Sequence, residues 1–327
     1  MNILITGAGS AMGQSIYKAL AMQDMGEDVR IHFANSDPLG AGRYFSNPSA
    51  PIVSTSIFPL AADPKYASFL ELYVEKNAID IVFSGTQHEL VKIAKFRDRT
   101  LKAATVPWVI ADFCMDKVKT SSALARYGIR VPITCTLREY MAAELMIEGT
   151  VVVKPNHSSS SRSIFRLKER QAASKLIADG AVNLDSFLVQ ELLSGDEYTC
   201  GCYIDRYTKQ INHITFKRTM TPDGATFYGE IVENPEIGRY LTDVGRALVA
   251  EGLDFGHVNI QLILTESGPV LFEINGRLSS TEASKAHYGF SSCAAFVFNI
   301  VKQQPYTGWQ IAHTGRFLRF YEEIYFD

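Results

Sequence analysis

A chain of 327 residues is longer than one small core organises, so two or three packed units are expected. Its 46% hydrophobic and 20% charged residues are ordinary globular values. The formal net charge of −3 excludes a general attraction to nucleic acid or anionic membrane, so recognition must come from local sites.

No apolar run approaches the roughly 20 residues of a membrane-spanning helix. Met1–Gly7 lacks a basic stretch and runs straight into a glycine turn, which reads as a buried strand and not a signal peptide. Cys114, Cys135, Cys200, Cys202 and Cys293 form neither a CxxC pair nor a zinc spacing, so reduced core thiols and a cytoplasmic location are expected.

In chain order, Ile3–Thr6 reads as a strand, Gly13–Met25 as a helix, Val29–Asn35 as a second strand and Ile52–Val53 as a short third. Tyr66–Lys76 is amphipathic and helical, Ile79–Ser84 is an apolar run of the kind buried on both faces, and His88–Phe96 is helical again. Parallel β-α-β units follow, an open α/β layer over residues 1–112. The pattern changes near Phe113. Asp116 suits the N-cap of a helix that stops at Gly128, with Pro132 just beyond. Strands are then expected at Thr150–Lys154, Phe187–Leu192, Tyr198–Ile204, Ile211–Met220, Val258–Leu264 and Val270–Asn275, with helices at Lys168–Ala178, Ile237–Glu251 and Ser292–Val301. That is α+β logic, and Arg316–Tyr325 reads as a closing strand.

Three segments carry chemistry that stays open on the residues alone. Gly7, Gly9 and Gly13 stand between a strand and a helix at GxGxxxG spacing, one residue longer than the dinucleotide fingerprint, with Asp37 after the second strand. They fit nucleotide binding or a tight βα turn. Lys154, on an apolar strand, precedes four serines and Arg162, a donor-rich loop suited to polyphosphate or a mobile hairpin end. Lys154 shares a face with Val152, so its ammonium is expected to exit a half-buried surface. Lys117, alone, reads as a solvated lysine. Gln190–Tyr198 is a strand, a break and an acid, able to pair with a purine edge or simply to turn.

The strongest local signal is a hairpin. Centred on Ser267, it places Gln261 opposite Glu273 and Asn259 opposite Asn275, with Arg277 added by period two. The opposite face, Ile260, Leu262, Phe272 and Ile274, is a core. Oxygen ligands in that number suit Mg²⁺ held by one or two carboxylates, nucleotide phosphate and water.

Read together, these pieces resemble the ATP-grasp superfamily, particularly the carbamoyl-phosphate-synthase-like carboxylate–amine ligases, over nearly the whole chain. Ser36-Asp37-Pro38 and Ser84–Leu90 echo the strand-end loops of its Rossmann-like pre-ATP-grasp domain. Cys114–Lys117 with Gly128–Pro132 matches the lysine-bearing helix that opens the ATP-grasp fold, and Lys154-Pro155 its second nucleotide lysine. The resemblance implies a pre-ATP-grasp domain at 1–112, a lid subdomain at 113–190 and a catalytic subdomain at 191–327. By it, Lys117 and Lys154 contact ATP phosphates and the loop with Ser160 closes over them. Gln190, Glu191 and Leu193 line adenine, and Glu197 binds the ribose. Gln261, Glu273 and Asn275 hold Mg²⁺ (or Mn²⁺). Arg218 meets an acyl phosphate and Arg277 stabilises the transition state. Two departures stand out: a serine-rich loop where relatives carry glycines, and Asn275-Gly276-Arg277 where they carry Asn-Pro-Arg. Gln261, where many relatives have an acid, fits the carbamoyl-phosphate-synthase branch and lowers the charge of the metal site.

The activity implied is activation of a small-molecule carboxylate as an acyl phosphate, followed by attack of an amine and release of phosphate. The carboxylate is expected between the first unit and the hairpin, near Arg218, Arg277 and Ser280 or Thr281. His157 and His257 are expected to be structural. A homodimer is a family habit, although no self-complementary apolar patch is legible. Rival readings are a small-molecule kinase on the same fold, an NAD(P)-dependent oxidoreductase using the glycine loop, and an ATP sensor without turnover.

Overall fold

The computed structural model describes residues 1–40, 44–45, 47–157, 163–222, 224–320 and 323–325. Four parallel strands open the chain: β1 (Asn2–Thr6), β2 (Arg30–Asn35), β3 (Ile52–Ile57) and β4 (Ile81–Ser84), ordered β3-β2-β1-β4. Helices α1 (Ala11–Ala21), α2 (Tyr66–Lys76) and α3 (Leu90–Thr100) cover the sheet, and a 3₁₀ turn at Gln87–Glu89 precedes α3. β1 and β4 are almost wholly buried, as parallel strands between two helical layers must be. The third strand is longer than Ile52–Val53, because Ser54–Ser56 alternate in burial and continue the pairing with β2.

Two helices stand at the junction, α4 (Trp108–Met115) and α5 (Lys117–Arg126). Sequence reading missed α4, an almost uniformly apolar stretch with little periodicity. Asp116 caps α5, its carboxylate accepting from Lys119 N at 2.9 Å. Then comes a small antiparallel sheet of β5 (Thr134–Thr136), β6 (Val151–Pro155), β7 (Phe165–Leu167) and β8 (Phe187–Glu191), ordered β5-β8-β6-β7, with helices α6 (Leu137–Met141) and α7 (Arg170–Ala178). Its core, built on Cys135, Val151, Val153, Ala173 and Val189, is its own.

The remainder forms a six-stranded antiparallel sheet ordered β13-β12-β9-β10-β11-β14. These strands are β9 (Asp196–Ile204), β10 (Ile211–Met220), β11 (Thr226–Ile231), β12 (Gly256–Thr265), β13 (Gly268–Asn275) and β14 (Arg316–Leu318). One face packs on α8 (Pro235–Ala250) together with α4 and α5. At the far end of the other face, Tyr203 and Phe216 meet α9 (Glu282–His287), α10 (Ser292–Ile300) and the first sheet in one continuous core. The closing strand is shorter than expected, since β14 ends at Leu318. All five cysteines are buried and unpaired. No helix among the described residues is long and apolar enough to cross a membrane.

Candidate active site

The hairpin pairs Asn259 with Asn275 and Gln261 with Glu273, the expected pairs, although the turn is two residues with Thr265 opposite Gly268 and is not centred on Ser267. A β-bulge follows Gln261, so Leu262 faces Leu271 and not Phe272. This corrects the expected core. Leu271 joins Ile260, Leu262 and Ile274 in the interior, and Phe272 is left half-buried on the polar side. There it supports Lys154, whose Nζ lies 5.5 Å from the ring centroid.

Lys154 does not exit to solvent. It is only 8% exposed, and its Nζ donates to Gln190 Oε1 at 2.8 Å. Gln190 Nε2 in turn donates to Thr134 Oγ1 at 3.0 Å. Gln190, expected from the resemblance to line adenine, bridges the lysine to Thr134. Burial lowers the Lys154 pKa to about 8, although the Glu273 carboxylate pulls the other way. Lys117, read alone as a solvated lysine, is likewise buried and donates to the Asn156 carbonyl at 3.1 Å. Burial depresses its pKa too, again opposed by Glu273. Asn156 also bonds Asp116 at 3.0 Å and Val118 N at 3.2 Å, tying the start of α5 to the end of β6. Two electrically strained ammonium groups therefore converge on one carboxylate. Ser160 and its neighbours 158–162 lie outside the described residues.

Glu191 N donates to the Ile133 carbonyl, and its carboxylate accepts from Ile133 N at 3.1 Å. Leu193 lies where the chain leaves the sheet, half-buried. Glu197 accepts from Arg218 Nε at 3.0 Å and from a second guanidinium nitrogen, so two residues assigned to different ligands pair with each other. Both sit on the sheet face that carries Gln261 and Thr199.

Arg277 is held from several sides. Its guanidinium donates to Gln87 Oε1, to the Leu278 carbonyl at 2.9 Å and to Asn275 Oδ1 at 3.3 Å, while Asn275 Nδ2 donates to Glu273 Oε1 at 3.0 Å. Gln87 belongs to the strand-end loop of the first sheet, so this contact ties the N-terminal unit to the hairpin. A cavity of about 410 Å³ lies at that seam, lined among others by Gln87, His88, Lys117, His157, Glu273 and Asn275. Among the described residues no three His, Cys, Asp or Glu side chains cluster to cage a metal. The donor set is one carboxylate with two amides, facing two lysines. That fits Mg²⁺ bound jointly with phosphate oxygens and poorly fits a metal held by protein alone.

Sequence reading missed a buried cluster beneath this face. Lys285, fully buried, donates to Glu282 Oε1 at 2.8 Å, Ser279 Oγ at 3.0 Å and Asn259 Oδ1 at 3.2 Å. Gly201 makes room for it, since a Cβ there would meet the lysine stem at 3.0 Å. His257 lies alongside, its Nδ1 2.8 Å from Ser292 Oγ, and burial lowers its pKa to about 3, so it is neutral and structural. Thr281 is also buried, bonded to Ser279, and is not a free hydroxyl donor. The i, i+3 spacing of Glu282 and Lys285 was the available signal. Close packing requires the glycines of the first loop: a Cβ on Gly7 would strike Thr86 at 2.4 Å, and one on Gly9 the Gly40 backbone at 2.9 Å. A tight βα turn accounts for those glycines.

The family model for the ATP-grasp domain matches residues 114–281, and the chain belongs to the ATP-grasp family. The D-alanine–D-alanine ligase of Clostridium beijerinckii is 26% identical over 176 residues, 50% of this chain and 57% of the relative. The chain thus spans little more than half the length of the curated relatives it matches. The L-amino acid ligase of Bacillus licheniformis superposes with a TM-score of 0.68 at 15% identity, covering 92% of this chain and 74% of that one. The biotin carboxylase domain of the 2-oxoglutarate carboxylase of Hydrogenobacter thermophilus, solved with MgADP and bicarbonate, gives 0.72 at 11% identity, covering 93% and 70%. These likenesses extend the shared fold across the Rossmann-like first unit and the two ATP-grasp units.

Proposed function

We propose that this protein is an ATP-dependent ligase that activates a small-molecule carboxylate as an acyl phosphate and couples it to an amine, releasing ADP and phosphate. The observation that carries the reading is a cavity lined by Lys117, Glu273 and Asn275, with Lys154 acting electrostatically on Glu273 and Arg277 bonded to the lining residues Gln87 and Asn275. The relatives named D-alanine–D-alanine ligase and L-amino acid ligase support the reaction class. In this reading residues 113–190 act as the lid and 191–327 as the catalytic unit.

Lys117 and Lys154 bind the nucleotide phosphates, their depressed basicity recovering as they meet anionic oxygen. Glu273, with Gln261 and the second lone pair of Asn275 Oδ1, would hold Mg²⁺, which supplies neutralisation of charge on the transferred phosphoryl group. Leu193, Glu191 and Glu197 border the nucleoside. Glu197 Oε2 has no protein partner among the described residues and is the atom left to accept from ribose hydroxyls. Arg277 is fixed before substrate arrives, so its stabilising charge needs no reorganisation.

Replacing Glu273 with Ala should lower phosphate release from ATP by roughly 100-fold or more, assayed across a panel of carboxylates and amines with the melting temperature recorded alongside. Retained turnover removes Glu273 from the metal role. Wild-type protein that binds MgATP but turns over with no carboxylate sinks the ligase reading.

A further inference from the structure

Just beyond β14, the Arg319 N–H donates to the Phe227 carbonyl at 2.9 Å, so the backbone stays in line with the strand. Arg319 and Phe317 are two residues apart and so point to the same face. The Phe317 ring packs edge-on against Phe216, with centroids 5.2 Å apart, and Phe216 alternates with Arg218. Arg319 therefore shares the sheet face of Arg218, Thr199 and Gln261, which the sequence reading did not foresee.

Its guanidinium is clipped to the loop that follows the metal-binding strand. One nitrogen donates to Ser280 Oγ at 3.3 Å and another to the Ser280 carbonyl. Ser280 is three residues from Arg277, no more than about 11 Å of chain. These two bonds use two of five N–H donors. The other three have no acceptor among the described residues, and no carboxylate pairs with the group. The residue is half-buried, and burial alone pushes its pKa down. Arg218 already has Glu197, and Arg277 has Gln87 and Asn275. Arg319 is the guanidinium on this face that still lacks an acidic or amide partner, and a planar fork with free donors is built for a paired oxyanion.

We propose that Arg319 is a further substrate-binding residue, its free N–H edge holding a carboxylate of the small-molecule substrate beside Ser280 and Arg277. This rests on reading the site as a carboxylate-activating centre. It assigns the C-terminal strand to substrate recognition, not merely to closing the sheet.

The test is calorimetric titration of wild-type protein, Arg319→Gln and Arg319→Lys. The probes are acetate, succinate, citrate and the common amino acids, each alone, then inorganic phosphate and MgADP. At least one carboxylate should bind the wild type, with Kd raised tenfold or more in Arg319→Gln. MgADP affinity should stay within twofold. Arg319→Lys keeps the charge but not the fork; it should fall between the two, and it carries the same readout if the glutamine variant folds poorly. Equal carboxylate affinity in wild type and variants overturns the proposal, as does a wild type that binds no carboxylate. Loss of phosphate or MgADP binding instead would reassign the anion site to the nucleotide. The ligase reading fails separately: Arg319-dependent carboxylate binding without phosphate release from ATP would spare this proposal and remove that one.

Discussion

Two buried lysines in different regions have opposite surroundings. Lys154, on the small four-stranded sheet, meets a neutral amide and an aromatic ring. Lys285, under the six-stranded sheet, meets the Glu282 carboxylate, a hydroxyl and an amide oxygen. Burial costs both ammonium groups their hydration, but only Lys285 recovers it from a charge in direct contact. Lys154 is left short of an anion, and its pKa falls to about 8. A buried cation with its carboxylate is scaffolding. A buried cation without an anion in direct contact is suited to bind one.

The sharpest way to break this comparison is to remove both charges in turn. Lys285→Met strands a fully buried carboxylate whose Oε2 already lacks a partner, and should destabilise the fold by about 3–5 kcal/mol. Urea unfolding measures it, and adding Glu282→Gln should recover most of the loss. Lys154→Met removes a charge that burial makes costly to hold. Stability should be unchanged or slightly raised, while MgATP affinity falls about 10- to 100-fold, the value of one charge-assisted hydrogen bond. A large drop in melting temperature for Lys154→Met would erase the distinction.

The smallest effect is in pH. Below about 8 Lys154 is protonated and ready for phosphate; above it the proton leaves, so MgATP affinity should decline as pH rises through 8. Lys154→Arg, charged throughout, should flatten that decline in a titration series. The stability linkage has the opposite sign. The folded pKa lies below the unfolded value of about 10.4, so the unfolded chain binds more protons between the two, and this group's contribution to stability rises with pH across that window.

The same contrast separates what was legible from what was not. That these residues share one face followed from period two, but the pairing of Gln261 with Glu273 needs the bulge as well, because next to the turn Thr265 lies opposite Gly268 and Leu262 opposite Leu271. The bulge was not legible, because no residue in Leu271–Phe272 forbids a regular strand; Lys154 arriving from another sheet gives Phe272 its reason to face the polar side. Lys117 read as a solvated lysine because its burial depends on Asn156, which is 39 residues away. Gln190 was placed in the site, but its partner Thr134 lies on a strand too short to declare itself.

The sequence by itself determined the parallel first layer, the antiparallel remainder, the capped helix at Asp116 and the polar face of the hairpin. Each is encoded in periodicities that span a few residues. Tertiary structure alone decided which charges are paired and which are left open. Gln190 for Lys154, Asn259 for Lys285, Gln87 for Arg277 and Ser280 for Arg319 all come from distant parts of the chain, and an ion's worth is set by what shares its desolvated space. Glu273 shows both halves: its strand neighbours put it on the face, and two lysines from elsewhere surround it with positive charge.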